Sequence, residues 1–164
     1  MAKFVVMGVS GCGKSSVGQA LAEAVGLTFI DGDDLHPPSN IAKMSAGMPL
    51  DDTDRAPWLV AVGRALAQED GSVAIGCSAL KRAYRDIIRG EAGQVQFLHL
   101  AAPKSVLAER VAARKGHFMP PALLDSQYAT LEHLEADETG TVLDIAQPLA
   151  RVIKDAVAYV QRVS

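Results

Sequence analysis

Short apolar runs alternate with longer amphipathic segments along the chain. Five of these runs are apolar enough to be strands that are covered on both faces: KFVVM at 3–7, TFI at 28–30, SVAIG at 72–76, VQFLHL at 95–100 and TVLDI at 141–145. Strands that are each separated from the next by a helical segment are typical of a parallel sheet. The pattern therefore predicts an α/β fold, with a five-stranded parallel sheet covered by helices on both faces.

Two segments carry apolar residues at helical spacing. In each segment these residues fall on one face of the predicted helix: Trp58, Leu59, Val62 and Leu66 in one segment, and Leu149, Val152, Ile153, Ala156, Val157 and Val160 in the other. Glycine commonly follows the last residue of a helix. We therefore predict that Gly26 ends the helix after the first strand and Gly71 the helix before the third.

Composition narrows the class of protein. The 164 residues are 49% hydrophobic and 21% charged, which predicts one globular domain over 1–164. The net charge of -3 disfavours a nucleic-acid partner. We expect no membrane partner and a cytoplasmic protein, because no apolar run approaches the roughly 18 residues of a span and no signal peptide is recognisable. Two cysteines, Cys12 and Cys77, and four histidines without metal-ligand spacing argue against a disulfide framework or a structural zinc site.

A glycine-rich stretch, GVSGCGKSS at 8–16, lies between the first predicted strand and the first predicted helix. It matches G-x-x-x-x-G-K-[ST], the P-loop motif, in the context that the motif requires. Lys14 is expected to reach the β- and γ-phosphates and Ser15 to hold Mg²⁺. The alternative is a glycine-rich turn that merely connects strand and helix. The predicted nucleotide-binding residues of the loop are Gly8, Val9, Ser10, Gly11, Cys12, Gly13, Lys14, Ser15 and Ser16.

The rest of the chain favours a phosphotransferase over a GTP switch. No N/T-K-x-D motif, which would read a guanine base, follows the P-loop. Two helical segments are instead rich in cations, as phosphoryl transfer requires around anionic oxygens. These cations are Lys81, Arg82, Arg85 and Arg89 in the first segment, and Arg110, Arg114 and Lys115 in the second. For Arg82 and Arg89 we favour solvated surface positions.

The stretch FIDGDDLHPPSN ends the second predicted strand. Because ligands of open α/β sheets bind at the carboxyl ends of strands, Asp31 and Asp33 are expected beside the P-loop. Asp33 is the predicted catalytic carboxylate, which takes the proton from an attacking hydroxyl or orients that hydroxyl. Asp31 is the predicted magnesium ligand, directly or through water. For Asp34 we predict a structural role, as the cap of a helix that begins near Pro37 and Pro38.

Residues 31–59, DGDDLHPPSNIAKMSAGMPLDDTDRAPWL, resemble the signature of the gluconate kinases (gluconokinases), small P-loop enzymes related to shikimate kinase and the nucleoside monophosphate kinases. The resemblance extends through CSALKRAYRD, ARKGHF and DIAQPL to nearly the whole chain. It implies transfer of the γ-phosphate of ATP to the 6-hydroxyl of D-gluconate, with Mg²⁺. By analogy it also implies a homodimer.

The same resemblance implies roles for individual residues. It implies that His36, Asn40 and Arg55 help to hold the sugar acid, with Lys81 nearby; Asp33, argued above from the residues, would bind it at the reacting hydroxyl. It also implies a short lid over about 114–125, with Arg110 against the adenine and Arg114 or Lys115 near the phosphates. For His36 the alternative is a surface-loop histidine, and for Trp58 we favour the core over a sugar-stacking role.

Two features depart from common patterns. The third predicted strand ends in AIGCSA, without the acidic residue that often supports magnesium, so more weight falls on Asp31. Cys12 lies near a helix N-terminus and Lys14, which favours its thiolate; the alternative is a small residue that fits a tight loop. Two other functions stay open: a kinase for another small acid or a nucleotide, and a non-catalytic nucleotide-binding module. Against shikimate kinase, GCSAL stands where a glycine triplet is expected.

Overall fold

Five parallel strands form one sheet, in the order β2-β3-β1-β4-β5, in a computed structural model that describes residues 2–113 and 121–164. The strands are β1 Lys3–Met7, β2 Thr28–Asp31, β3 Val73–Gly76, β4 Gln96–Ala101 and β5 Gly140–Asp144. Each lies within one residue of a predicted apolar run at both ends. The predicted α/β fold with a five-stranded parallel sheet is confirmed.

Seven α-helices lie within the described residues, together with a short 3₁₀ helix at Gly32–Leu35. They are α1 Lys14–Val25, α2 Pro38–Ser45, α3 Asp52–Gln68, α4 Arg82–Ala92, α5 Lys104–Ala113, α6 Pro121–Thr130 and α7 Leu149–Val163. In this described part of the chain no helix is long and apolar enough to cross a membrane.

Alternating side chains of the central strand divide the core into two layers. Phe4 and Val6 of β1 belong to a buried cluster with residues of α1 and α7. Val5 and Met7 belong to a second cluster with residues of α3 and α4. Because successive strand residues point to opposite faces, a run such as FVVM must be apolar throughout to serve both layers. The helices therefore cover both faces of the sheet.

The two predicted helix faces differ in how fully they are buried. All four residues of the α3 face are buried, including Trp58. On α7, however, Leu149, the first residue of the helix, is 51% exposed and lines a cleft.

Glycine was predicted to end two helices, and this is confirmed for only one of them. Gly26 follows α1 in the left-handed conformation, with a φ of 76°, and its N–H donates to Ala22 O. The prediction for Gly71 is wrong, because α3 ends at Gln68 and its C-terminal cap is Glu69 in extended conformation.

Candidate active site

The phosphate loop folds through three glycines in conformations that other residues rarely adopt. Gly8, Gly11 and Gly13 have φ angles of 145°, 83° and 95°. Helix α1 then begins at Lys14, with no side-chain cap on its N-terminus and no acidic residue in its first turn. The first N–H groups of a helix have no partner inside the helix, and the helix dipole favours an anion there. The loop is therefore built to bind an anion such as phosphate.

Gly8 is also required by close packing. A Cβ atom at this position would lie 2.7 Å from Cys12 Sγ and 2.8 Å from Leu100 O. Across the loop, Lys14 Nζ donates to Gly8 O at 2.9 Å and to Val9 O at 3.2 Å. The lysine ammonium therefore lies folded against the first residues of the loop.

Beside the loop lies a cleft of about 450 Å³. Five of the predicted nucleotide-binding residues line it: Gly11, Cys12, Gly13, Ser16 and Arg110. Arg110 Nη2 donates to Ala146 O at 3.2 Å and Gln147 O at 3.5 Å, which anchors α5 to the segment after β5. The exposed side chain of Leu149 lies on the same wall. The cleft thus joins an anion site to a partly apolar wall, as a nucleotide requires.

The predicted lid falls mostly outside the described residues. Arg114 and Lys115 lie in 114–120, and the structure therefore does not place them. The remaining part, 121–125, is the first half of α6.

The expectation of a reactive Cys12 thiolate is wrong. Cys12 is only 6% exposed, and burial raises the pKa of its thiol, although Lys14 and backbone N–H groups act in the opposite direction. The thiolate is the nucleophile, so a raised pKa lowers the reactivity of the Cys12 thiol at neutral pH. The alternative reading, a small residue that fits a tight loop, agrees with its contact with Gly8.

The predicted acidic residues lie at the carboxyl end of β2. Asp31 pairs with Gly76 of β3, and Val6, just before the phosphate loop, pairs with the same residue. A Cβ atom at Gly32 would lie 2.3 Å from Gly76 O, so the chain passes directly against β3 at this point. The sheet therefore brings this acidic segment and the phosphate loop to one edge, as predicted from the strand order of such folds.

The Asp33 carboxyl is perturbed as a proton acceptor would be. Partial loss of water around it raises the pKa of Asp33 above its ordinary value of 3.8, and the neighbouring Asp31 acts in the same direction. Lys14 and His36 partly offset this rise in pKa. Asp33 thus lies within electrostatic reach of the phosphate-loop lysine. A carboxylate with a raised pKa beside a phosphate site is typical of a general base.

Helix capping in this segment differs from the prediction. Asp31, not Asp34, is the capping residue: its Oδ1 accepts a hydrogen bond from Asp33 N at 3.0 Å at the start of the 3₁₀ helix. Helix α2 is preceded by Pro37, which offers no side-chain cap. The Asp31 carboxylate therefore fixes the backbone that carries Asp33.

His36 is held by two residues. Its ring stacks on Trp58, with 4.2 Å between centroids and 16° between planes. Asn40, which is 2% exposed, places Nδ2 at 2.9 Å from Asp54 O and 3.2 Å from His36 Nδ1. An amide nitrogen only donates, so His36 Nδ1 accepts and the ring proton resides on Nε2. Burial lowers the pKa of His36, which favours this neutral form.

Trp58 thus belongs to the core, as favoured from the sequence, and it also organises the site. Its Nε1 donates to Gly32 O at 2.8 Å. One indole therefore ties the backbone between Asp31 and Asp33 to the ring of His36.

The two cations predicted to bind the acid, Arg55 and Lys81, meet around Tyr84. Arg55 Cζ and Lys81 Nζ lie 5.6 Å and 5.5 Å from the centroid of its ring. Tyr84 Oη donates to Asp52 Oδ1 at 2.5 Å and accepts from Arg55 Nη1 at 3.3 Å. Asp52 Oδ2 lies 3.6 Å from Lys81 Nζ. Two cations balanced by one carboxylate leave a net charge of +1, which suits one anionic group.

The remaining predicted cations have structural partners. Arg85 is fully buried, and its Nε and Nη2 donate to the Glu138 carboxylate at 2.7 Å and 2.9 Å. Arg89 also contacts Glu138, at 3.0 Å, and Arg82 pairs with Glu135 and Asp137. Arg82, with 32% of its side chain exposed, agrees with the favoured surface position. For Arg89 that prediction is wrong, because its side chain is only 24% exposed, lies over the ring of Phe97 and pairs with the buried Glu138. Arg85 is a core residue.

No role was predicted for Gln127 from the sequence. It lies on α6 but contacts the phosphate loop: Ser10 N donates to its Oε1 at 2.6 Å, and its Nε2 donates to Ser10 Oγ at 2.8 Å. Tyr84 and Asp52 were missed as well, although both stand inside the quoted stretches LKRAYRD and DDTDRAPWL. Tyr84 stands three residues after Lys81, and Asp52 stands three residues before Arg55. This helical spacing from a predicted substrate residue could have indicated both.

Known proteins with this sequence pattern are kinases of small acids. Residues 10–150 match the family model described as shikimate kinase. The thermosensitive gluconokinase of Escherichia coli (strain K12) is 46% identical over 153 residues, which are 91% of this chain and 82% of that protein. The chain belongs to the gluconokinase family.

Two further relatives extend the match. The gluconokinase of Gluconobacter oxydans (strain 621H) is 49% identical over 139 residues, 82% of this chain and 78% of that protein. The crystal structure of a gluconokinase from Sinorhizobium meliloti 1021 superposes with a TM-score of 0.91 at 53% identity, over 99% of this chain and 93% of that one. The resemblance identified from the sequence is confirmed, and so is the fold expected for a gluconokinase.

Proposed function

We propose that the protein is a gluconokinase that transfers the γ-phosphate of ATP to the 6-hydroxyl of D-gluconate, giving 6-phospho-D-gluconate. One observation carries the proposal within the site: Asp33, a carboxylate with a raised pKa, lies within electrostatic reach of both the phosphate-loop lysine, Lys14, and His36. The sequence identity to gluconokinases supports the choice of substrate.

The nucleotide site fits ATP. The open N–H groups at the start of α1, the folded Lys14 side chain and the adjoining cleft of about 450 Å³ supply an anion cradle and room for a base. In this proposal Arg110 and Leu149 contact the adenine. Arg114 or Lys115 approaches the phosphates.

The side chains around the loop also fit Mg²⁺, which prefers oxygen ligands and keeps several waters. Ser15 is exposed in the first turn of α1 and Asp31 stands at the adjoining strand end. Within the described residues no group of three or more histidine, cysteine, aspartate or glutamate side chains forms a dedicated metal cage. Ser15 and Asp31 would therefore share the ion with the phosphate oxygens, and the bound ion supplies neutralisation of charge on the transferred group.

In this proposal a second group of side chains holds the acceptor. Arg55 and Lys81 bind its carboxylate, while His36 and Asn40 contact the hydroxyls. Asp33 accepts the proton of the attacking hydroxyl or orients it, and Lys14 neutralises the developing charge on the phosphate. Trp58 positions the ring of His36 and the backbone next to Asp33 relative to each other.

Acceptor-dependent release of ADP from MgATP tests this function. The acceptors are D-gluconate, shikimate, a panel of nucleoside monophosphates and a blank without acceptor. Turnover with gluconate alone is expected. If another acceptor worked instead, the substrate assignments would fall while the nucleotide site stood; if none did, the chain would be a nucleotide-binding module without this activity.

Two further expectations belong to this proposal. A homodimer is expected by analogy with small kinases of this type, and light scattering coupled to gel filtration measures it. A cytoplasmic location is expected, and cell fractionation tests it.

A further inference from the structure

Gln127 connects two parts of the molecule that are 117 residues apart in sequence. Ser10 N donates to its Oε1 at 2.6 Å, while its Nε2 donates to Ser10 Oγ at 2.8 Å. Two reciprocal hydrogen bonds to one residue fix both the position and the rotation of that residue. The carboxamide thus restrains a peptide group of the phosphate loop, where glycines otherwise leave the backbone free.

The helix that carries Gln127 is itself anchored. Leu124, one turn earlier on α6, is buried in the same cluster as Val9 and Cys12. On the next residue, Tyr128 Oη donates to Ala102 O at 2.8 Å. The packing of Leu124 and the hydrogen bond of Tyr128 hold α6 in place. The side chain of Gln127 therefore contacts Ser10 from a helix whose position is fixed.

Ser10 lies next to the part of the loop that the lysine of the P-loop contacts. Lys14 Nζ, which reaches the β- and γ-phosphates in this motif, rests on Gly8 O and Val9 O, immediately before Ser10. The cleft beside the loop is lined instead by Gly11, Cys12 and Gly13. Neither Ser10 nor Gln127 lines this cleft, so their contact is made on another side of the loop.

We propose that Gln127 is a positioning residue of the phosphate loop, which holds the Ser10 peptide where the terminal phosphate of the nucleotide is received. The proposal rests on the proposed function, because it requires that the loop bind ATP. Gln127 acts through Ser10. It follows that α6, the helix directly after 114–120, and the phosphate loop are linked, so that binding of a triphosphate and the placement of α6 depend on each other.

Binding measurements test this without relying on turnover. The variants are Gln127→Met, which keeps the length of the side chain and removes both hydrogen bonds, Ser10→Ala, which keeps the N–H donor, and the double variant. The matched control is Thr130→Ala on the same helix, where the hydroxyl donates to Ser126 O within α6 itself. Calorimetry gives the affinities for ADP and for a non-hydrolysable ATP analogue, both with Mg²⁺, and thermal melting monitors folding.

Gln127→Met is expected to weaken binding of the ATP analogue about tenfold, as expected for one net hydrogen bond, while ADP binding changes less than about threefold. Ser10→Ala should cause a smaller loss, and the double variant should equal Gln127→Met, because the two residues act as one unit. In turnover, Gln127→Met should lower kcat with little change in the KM for gluconate. Thr130→Ala should resemble the native protein.

Three results would overturn the proposal: equal losses for ADP and the analogue, a lower melting temperature with unchanged affinities, or losses that multiply in the double variant. A merely structural tie between α6 and the loop would give the second of these. If the native protein showed no turnover with gluconate but the nucleotide affinities followed the expected pattern, the proposed substrate would be wrong and the role of Gln127 would be supported.

Discussion

The ring of His36 stacks on the indole of Trp58, with 4.2 Å between the ring centroids. Trp58 also donates from Nε1 to Gly32 O, in the turn between Asp31 and Asp33. A residue of the core therefore positions both a proposed substrate contact and the backbone of the proposed base. Substrate recognition and the packing of α3 are coupled at this point.

Trp58 is the only tryptophan, so its fluorescence reports the protonation of His36. Burial lowers the pKa of His36 below its ordinary value of 6.5. Asp33 raises this pKa, and Arg55 lowers it. We expect emission to fall on acidification as the stacked imidazole becomes cationic, with a midpoint below 6.5. His36→Gln should remove this step. A midpoint at or above 6.5 would contradict the lowered pKa of His36, and a step that persists in His36→Gln would show that the emission reports another group.

The two carboxylates of the acidic segment are expected to differ in kinetic role. Asp33→Asn should lower kcat by at least about 100-fold with little change in KM for ATP, since a general base contributes roughly that much. Asp31→Asn should mainly raise the magnesium concentration needed for half-maximal rate. Its cap to Asp33 N is weakened as well, so a moderate fall in kcat should accompany the change. Equal and small effects of both substitutions would refute these roles.

The same assignment predicts a pH dependence. Asp33 must be ionised to accept a proton, and its pKa is raised above 3.8. The acid limb of kcat/KM for gluconate should therefore lie at a higher pH than an ordinary aspartate would give, with activity lost as pH falls through that value. The profile of Asp33→Asn should lack this limb. If the limb were unchanged in the variant, another group would be the base.

Tyr84 is expected to support binding of the acid through Arg55. Tyr84→Phe keeps the ring between the two cations but removes the hydroxyl that bonds to Asp52 and Arg55. We expect a rise in the KM for gluconate of about three- to tenfold, on the scale of one hydrogen bond to a charged group, with the KM for ATP unchanged. Tyr159→Phe is the matched control, because its hydroxyl bonds to Gln96 in another part of the fold. A similar change in both variants would show that the Tyr84 effect is not local.

Most of the fold could be predicted from the sequence because its determinants are local. A strand such as FVVM must be apolar on both faces, and the phosphate loop needs glycines at positive φ beside a lysine; both requirements are visible in single stretches. The exposure of Leu149 could not be read from helical periodicity, since spacing alone does not tell a cleft wall from a core.

Contacts between segments that are distant in sequence were the main part of the site that the sequence could not predict. Gln127 and Ser10 meet only because α6 returns to the phosphate loop, and nothing in either stretch predicts it. The pKa of Cys12 shows a related limit. Lys14 and the helix N-terminus could be inferred and do lower that pKa, but burial, which depends on the whole fold, outweighs them.

The buried ion pair of Arg85 and Glu138 should dominate the stability of α4. Both side chains are 0% exposed and joined by two hydrogen bonds. Glu138→Gln leaves the Arg85 charge buried without a balancing carboxylate, and we expect a loss of about 3–5 kcal/mol in the free energy of unfolding. Asp137→Asn on the exposed pair with Arg82 should change stability little. Chemical denaturation measures both variants, and comparable losses would show that burial of the pair is not what matters.

His99 should make the protein sensitive to mild acid. It is 1% exposed, its Nδ1 has no hydrogen-bond partner among the residues that the structure describes, and burial, with smaller contributions from His133 and Arg85, lowers its pKa to about 4. The unfolded chain, with an ordinary pKa of 6.5, binds a proton between these values while the folded chain does not. Stability should therefore fall as pH decreases from 6.5 to about 4, by roughly 3 kcal/mol from this group.

His99→Met removes the titrating ring and the unpartnered nitrogen, so its free energy of unfolding should change much less over that pH range. The titration of Glu138 does not interfere with the comparison of the native protein and His99→Met. Burial alone would raise the pKa of Glu138, but Arg85 and Arg89 lower it to about 2, so the stability that depends on its charge is lost only below pH 4.5. Urea unfolding at pH 7, 6, 5 and about 4.5 separates the two groups. Parallel pH curves for the native protein and His99→Met would show that His99 is protonated in the folded state and that its burial carries no acid sensitivity.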